Sequence, residues 1–393
     1  MIFLDHASTT RMSEEAFDVY KEVSKHYYGN TSSLHEGGYN ATQIVEASRQ
    51  EIALNIGAKP HEIYFTSGGT ESNERAIRSL TASFKGKKKH VITTKIEHPS
   101  ILSVFKQLEI DGFYVTYLDV NERGEISLSA LEESITDKTV LVSVQHANSE
   151  IATVQPINKI GALCAKKEVH FHTDVVQTFG KIGIDVNKDQ ISCLSISAHK
   201  VYGPKGVGAV FISENVMWEG IDPFTASTHE SGFRPGTINT PGIAAFAKTA
   251  QQQFRSRAAN EKKLRNLRDT FASELTRRVP SAVIEGHHVK AVPHIVGFRI
   301  PGIEGQYVML TLDRHGICVS TGSACQVAKQ EASHVLSSIG KSDQEAKEFV
   351  RVSFGIATTQ DELSRTIDII ESIVTNAKTE ELPHDRKNKK MAR

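Results

Sequence analysis

LSISAHKVYGPKGVGAVFI, residues 194–212, places one lysine between an apolar run and a string of glycines. Residues 194–198 predict a short buried strand, and residues 207–212 predict another. A charge at the end of such a strand is costly unless it is paired or neutralised. Lys200 sits there all the same, directly after His199 and just before Gly203-Pro204-Lys205-Gly206.

Outward from this stretch, apolar strand-like runs alternate with longer helical patterns. Strands are predicted at residues 62–67, 90–98, 113–120, 139–148, 169–175, 193–200 and 206–212, with amphipathic stretches such as 73–84 and 157–167 between most of them. This alternation predicts an α/β fold whose mostly parallel sheet is covered by helices on both faces. From about Thr240 the texture changes. A long polar helix (243–278) leads to shorter strands at 292–300 and 316–320 and then to a helix over 360–378. The expected division is a large domain at 13–245 and a smaller α+β domain made of 1–12 and 246–378. Residues 379–393, charged and nearly free of apolar side chains, are expected to form a disordered tail.

Bulk properties narrow the function. With 46 basic and 46 acidic residues, no net charge draws the chain to nucleic acid or to a membrane. No apolar run approaches the roughly 20 residues that cross a bilayer, and MIFLDHASTT lacks a signal-peptide layout. The expectation is a soluble cytoplasmic protein. Cys164, Cys193, Cys318 and Cys325 form no disulfide framework and no metal-type pair, and His170 with His172 lacks further ligands, so no metal site is expected.

The polar residues fall at the carboxyl ends of the predicted strands. Thr70 follows the first, His98 closes the second, and Asn148-Ser149 close the fourth. Asp174 and Gln177 end the fifth, and Ser197, His199 and Lys200 end the sixth. Open parallel sheets gather ligands along that edge. Each residue alone has an ordinary structural reading: a Gly-Gly-Thr turn is usually a helix cap, a lone histidine is usually a satisfied one. One cofactor, pyridoxal 5'-phosphate, accounts for the set. A lysine in a desolvated pocket can deprotonate and condense with its aldehyde. An aspartate such as Asp174 keeps the ring nitrogen protonated. Gly68-Gly69-Thr70 entering a helix, with Ser197 and His199, suits its phosphate, and His98 suits the ring face.

FTSGGTESN, HTDVVQTFGK, SAHKVYGPKGVGA, RPGT and STGSAC stand in one order along the chain, from FLDHASTT at the start to VRVSFGIATTQDEL near its end. In these segments the sequence resembles the NifS/IscS-type cysteine desulfurases of the class V aminotransferase group. The resemblance implies a fold-type I transferase, homodimeric, with a seven-stranded large domain and a small one. It implies that Lys200 anchors the cofactor and moves the substrate α-proton, and that Asp174 pairs with the ring nitrogen. His98 would stack on the ring and assist proton transfer. Gln177 would donate to the ring hydroxyl, with the residue at Ser149 beside it. Gly69, Thr70, Ser197 and His199 would hold the phosphate, joined by Thr237 of a second subunit, and Arg351 would grip the carboxylate of L-cysteine.

The same resemblance makes Cys325 the nucleophile. It lies in a small-residue, polar stretch without helical periodicity, whereas Cys164 (in a predicted helix) and Cys193 and Cys318 (in predicted strands) read as core thiols. The implied reaction turns L-cysteine into L-alanine and leaves a persulfide on Cys325. That sulfur would go to an acceptor protein: an iron–sulfur scaffold, a cluster enzyme or a thiolation protein.

Some positions depart from the family. Its Asn-Asn-Glu-x-Gly reads Asn148-Ser149-Glu150-Ile151-Ala152, a Gly-rich stretch is replaced by residues 225–229, and the arginine after Phe-Gly is Ile356. Because serine is shorter than asparagine, either water bridges to the ring hydroxyl or Asn148 turns inward, and Gln177 is expected to carry more of the bonding. Two other readings stay open beside the desulfurase. One is a different enzyme on the same cofactor, such as a selenocysteine lyase or a small-substrate aminotransferase, which the position of Cys325 disfavours. The other is an idle scaffold for sulfur acceptors, which intact Lys200, Asp174, His98 and Arg351 disfavour.

Overall fold

The computed structural model describes residues 1–84, 86, 89–221, 229–322 and 332–388, with side chains described as far as residue 377. The strands in chain order are β1 (Ile2–Phe3), β2 (Ile63–Thr66), β3 (His90–Thr94), β4 (Tyr114–Leu118), β5 (Thr139–Ser143), β6 (His170–Asp174), β7 (Cys193–Ser197), β8 (Gly208–Ile212), β9 (Val283–Glu285), β10 (Ile295–Arg299), β11 (Ile317–Cys318) and β12 (Phe349–Ser353). Seven of them form one sheet in the order β2-β8-β7-β6-β5-β3-β4. All its pairings are parallel except those made by β8, which runs against both β2 and β7.

Strands β3, β5, β7 and β8 are buried at every residue, which is why they read as continuous apolar runs and not as alternating ones. One apolar core, holding Phe65, Val142, Phe171, Leu194 and Phe246, covers one face of the sheet. A second, holding Ile77, Phe105, Leu141 and Val210, covers the other.

The stretch 194–212 is a tight antiparallel return. Beyond Ser197 the chain makes a 3₁₀ turn at Ala198–Lys200, and the amides of Val201 and Gly203 both bond the Ala198 carbonyl oxygen at 3.0 Å. A Cβ on Gly203 would stand 2.9 Å from that oxygen, and one on Gly208 would stand 2.7 Å from the Gly68 Cα. Bare backbone at these two positions lets the turn close and lets β8 lie against the Gly68-Gly69 turn. Lys200 is thereby fixed just past the carboxyl end of β7.

A separate core forms around the three-stranded sheet β12-β10-β9, from residues including Leu4, Phe271, Phe298, Val350 and Phe354. Strand β1 joins this part of the molecule by pairing in parallel with β11. One helix, Thr240–Arg278, serves both cores: Ile243 and Phe246 enter the first, Leu264, Leu267 and Phe271 the second. The boundary expected at 245 therefore falls inside a continuous helix, capped by Asn239 and started by Pro241.

Several strands end earlier than their apolar runs. Strand β3 stops at Thr94, β5 at Ser143 and β7 at Ser197, so His98, Asn148 and Lys200 lie in the connections that follow and not in the strands. Here the apolar residues continue into buried turns whose amides bond side chains, as the Gln145 amide does with the Glu97 carboxylate. The last helix runs Gln360–Asn388, past the residues expected to start a disordered tail. Glutamate, lysine and arginine are strong helix formers.

Ala152 adopts φ +66° where the resembled family carries glycine. A left-handed backbone costs an L-residue about 1–2 kcal/mol, against about 0.5–1 for ordering glycine. Ala152→Gly is expected to raise the calorimetric melting midpoint by about 1–3 °C. A lower midpoint would contradict this reading of the turn.

Candidate functional site

At the carboxyl edge of the parallel strands lies a cavity of about 370 Å³. Volume does not single it out, since a more open concavity beside Lys95 and Lys347 is larger, about 740 Å³. Its chemistry does. Gly69, Thr70, His98, Ser149, Asp174, Gln177, Ser197, His199, Lys200 and Arg351, ten of the residues expected from the sequence, all line it. Thr237 is exposed and does not line it. Cys325 lies outside the described residues, as do residues 225–228; Thr321 and Gly322, which lead toward Cys325, line the cavity.

Lys200 points back toward the start of the chain. Its ammonium donates to the carbonyl oxygens of Ala7 at 2.6 Å and Ser8 at 2.7 Å. These acceptors hold the amine in the cavity.

Asp174, buried at the end of β6, accepts from the Val176 amide at 2.8 Å and from Asn73 Nδ2 at 2.9 Å. Asn73 was not foreseen. It lies one turn beyond Thr70 on the helix Gly69–Ala82, so the two share a face.

The amino end of that helix is an anion cradle. Its cap residue, Gly68, supplies no side-chain bond, so the first amides keep their donors for a ligand. Ser197 Oγ is buried beside this turn with no hydrogen-bond partner, 3.9 Å from where a Cβ would stand on Gly68 or Gly69. An orphaned buried hydroxyl at a free helix start fits a phosphate. His199 lies alongside, its Nδ1 3.1 Å from Thr9 Oγ1. Burial, with Lys200, Lys205 and Lys181 nearby, pushes its imidazole pKa down to about 4.

His98 caps the helix Pro99–Ile110, accepting from the Ser100 amide through Nδ1 at 3.2 Å. Its proton is therefore on Nε2 when the ring is neutral. The following proline excludes helical backbone at His98 and opens the helix after it, which is why this residue is a cap and not a strand end. Water reaches the ring in the single chain, but the surrounding walls desolvate it enough to lower its pKa; Asp174 opposes this, and Lys200 and His334 add to it.

Arg351, on β12, spans the two sheets. It donates to the Ser149 carbonyl at 3.1 Å, to Asp5 Oδ1 at 2.8 Å and to Ser8 Oγ at 2.6 Å. Its Nε is buried without a partner, an unused donor suited to a ligand carboxylate. Asn148 does not turn inward: it donates to the Ile96 carbonyl and caps the amides of Glu150 and Ile151. Gln177 donates to the Ala7 carbonyl at 3.0 Å.

Two buried carboxyls near the cavity were missed as well. Burial raises the pKa of Glu97 to about 8, against bonds from the Gln145 amide and Thr94. Burial also raises Glu150 to about 7, against a bond from Ser333 and the charge of Arg351. His172 is fully buried between Ser143 Oγ and Ser195 Oγ, at 2.8 and 3.0 Å. Cys164 and Cys193 are buried thiols with raised pKa values, that of Cys164 near 12. Cys318 is only half-buried, because the two-stranded pair β1-β11 leaves it at an edge.

The arrangement, a lysine amine, an aspartate and a free helix amino end around one cavity, suits a phosphorylated carbonyl cofactor. Residues 2–366 match the aminotransferase class-V family model. The chain is 42% identical to a NifS protein of Bacillus subtilis (strain 168) over 99% of its own length and 98% of that protein's. It is 38% identical to the cysteine desulfurase IscS of Dictyoglomus turgidum (strain DSM 6724 / Z-1310), over 96% of this chain and 95% of that one. A solved structure titled SspA in complex with cysteine superposes with a TM-score of 0.80 at 32% identity, covering 91% of this chain and all of that one. The chain belongs to the class V aminotransferase family, in its NifS/IscS-type cysteine desulfurase group.

The orphaned Ser197 hydroxyl gives a direct test. Ser197→Ala removes an unsatisfied buried group, so the apoprotein should melt no lower than wild type. A hydrogen bond to a charged group is worth about 1.5–3 kcal/mol, so pyridoxal phosphate affinity by equilibrium dialysis should fall about 10- to 100-fold. Unchanged affinity would remove Ser197 from the phosphate site.

Proposed function

We propose that this chain is a pyridoxal phosphate-dependent cysteine desulfurase that takes sulfur from L-cysteine, releases L-alanine and keeps the sulfur as a persulfide on Cys325. The observation that carries this reading is the convergence of Lys200, Asp174, the Gly69/Ser197 cradle and Arg351 on one cavity. Membership of the cysteine desulfurase group and the cysteine bound in the SspA structure support the substrate.

The residues divide the work by position. Gly69, Thr70, Ser197 and His199 hold the phosphate. Asp174, kept in place by Asn73 and the Val176 amide, would pair with the ring nitrogen, and His98 would stack on the ring. Gln177 would donate to the ring hydroxyl, with Ser149 beside it. The cofactor, when bound, supplies an electron sink for charge developing on the substrate α-carbon. Arg351 takes the substrate carboxylate, and Lys200, as a free amine, takes the α-proton. His98, neutral with Nε2–H, is placed to pass protons at the same face.

The sulfur step needs no outside oxidant. The substrate carbon–sulfur bond breaks and a sulfur–sulfur bond forms to the Cys325 thiolate. Both sulfurs, that of Cys325 and that of the substrate, are oxidised by one electron each, the substrate carbon is reduced by those two electrons and takes a proton, and alanine leaves. Thr237, exposed and outside the cavity, is assigned to the phosphate site of a second copy, which makes the working unit a homodimer. The persulfide passes to a sulfur-acceptor protein in the cytoplasm, serving iron–sulfur cluster assembly or another sulfur-containing product. Among the described residues no helix is long and apolar enough to cross a membrane.

Cys325→Ala separates the two halves of this scheme. The variant should bind cofactor and cysteine as wild type does, seen in its visible spectrum. Alanine formation and sulfide release with a thiol reductant should fall by two orders of magnitude or more. A variant that keeps most of its alanine production would overturn the persulfide assignment, and a wild-type protein that takes up no pyridoxal phosphate would overturn the whole reading.

A further inference from the structure

Behind the cavity wall lies a buried polar junction that the scheme above does not use. His294, fully buried just ahead of β10, places Nε2 3.3 Å from Gln177 Oε1. The other end of the Gln177 amide donates to the Ala7 carbonyl oxygen at 3.0 Å, the same oxygen that accepts from Lys200 at 2.6 Å. A carbonyl oxygen only accepts, so the nitrogen of Gln177 must face Ala7 and its oxygen must face His294. His294 must then donate through Nε2–H. Its Nδ1, buried with no partner, carries no proton in the neutral ring.

The surroundings favour that neutral form. Lys181, His6, Arg351 and Lys200 all oppose a proton on His294, and burial lowers its pKa well below the ordinary value. Lys181 closes the junction from below: its ammonium donates to the Gln177 carbonyl oxygen at 3.3 Å. The Gln177 side chain is thus fixed from the Ala7 side and the His294 side, and its backbone from the Lys181 side. A glutamine amide is symmetric in shape, and only its hydrogen-bond partners decide which end faces a ligand.

We propose that His294 is a positioning residue that locks the Gln177 side-chain amide so that its second N–H, the one not given to Ala7, is turned into the cavity, where it sets the protonation of the lysine-bound cofactor. This rests on the cofactor reading given above. The role matters more here because position 149 is a serine and Asn148 is committed to Ile96, Glu150 and Ile151, which leaves Gln177 as the amide side chain at that edge of the ring. Without His294, the Gln177 oxygen loses its donor and the side chain is held only at its Ala7 end, so it can swing its second N–H out of the cavity.

The test is a spectrophotometric pH titration of the cofactor's visible band in wild type, His294→Leu, His294→Gln and Gln177→Ala, and in the His294→Leu/Gln177→Ala double variant. A donor to the anionic ring oxygen stabilises the deprotonated form, so losing it raises the midpoint. His294→Leu and Gln177→Ala should each raise it by about one pH unit, a tenfold change. His294→Gln, which offers an N–H near the place of Nε2, should stay within a few tenths of wild type. The double variant should shift no further than Gln177→Ala alone. An unchanged midpoint in a folded His294→Leu protein, or fully additive shifts, overturns the proposal while leaving the desulfurase reading intact. A wild-type protein that forms no lysine-bound cofactor overturns both. Should His294→Leu not fold, ¹⁵N-histidine NMR of wild type decides, with His294→Gln assigning the signal: the neutral Nε2–H form from pH 6 to 9 supports the proposal, and an Nδ1–H or doubly protonated ring overturns it.

Discussion

The bond from Lys200 to the carbonyl oxygens of Ala7 and Ser8 is the contact on which the site depends. It ties the end of the 194–212 return to the segment that follows β1, and that segment also reaches Arg351, Gln177 and His199. Asp5 and Ser8 Oγ hold Arg351, Ala7 O holds Gln177, and Thr9 and Thr10 bond the side chain and backbone of His199. Residues 5–10 thus form a wedge between the large sheet and the small one. An irregular segment can do this because its backbone groups are not used up in a ladder and remain free to bond side chains.

The electrostatics follow from the same geometry. Arg351, Lys181 and Lys200 gather on one side of the cavity, and the histidines around them, His6, His199 and His294, are held neutral by burial and by those cations. The acidic groups that face these cations are Asp174, Glu150, whose pKa burial raises to about 7, and the Asp5 that pairs with Arg351. The cavity is suited to a ligand carrying a phosphate and a carboxylate, which would add negative charge. Among the described cysteines, Cys164 and Cys193 are kept as thiols by burial, so neither competes for a sulfur transfer that requires a thiolate.

Much of this was readable in the sequence, for a physical reason. Fully buried parallel strands are continuous apolar runs, and the chain must turn at their ends, so Asp174, Ser197 and Lys200 announce themselves as polar residues where such runs stop. The strand ends themselves were less readable: beyond Thr94 and Ser143 apolar residues still point inward, but the backbone has left the ladder. Asn73, Asp5 and His294 escaped notice because little in the local sequence marks them. Asn73 reads as a helix residue, Asp5 as part of the opening segment FLDHASTT, and His294 as one polar residue within the predicted strand 292–300. They meet the cavity only through contacts 101, 346 and 117 residues apart in sequence. Asn73 had one local signal, its three-residue spacing from Thr70. The charged end of the chain is expected as a disordered tail, and the backbone of the helix Gln360–Asn388 runs into it.

The central claim is that Lys200, and no other lysine, is the covalent anchor. Lys181 is the competing candidate: it is fully buried beside the same cavity, and its pKa is pushed down to about 7 by burial and by Lys200. Borohydride reduction of the protein loaded with pyridoxal phosphate, followed by peptide mapping, distinguishes the two. The account predicts a single modified peptide with the label on Lys200; a label on Lys181, or one spread over several lysines, would contradict it.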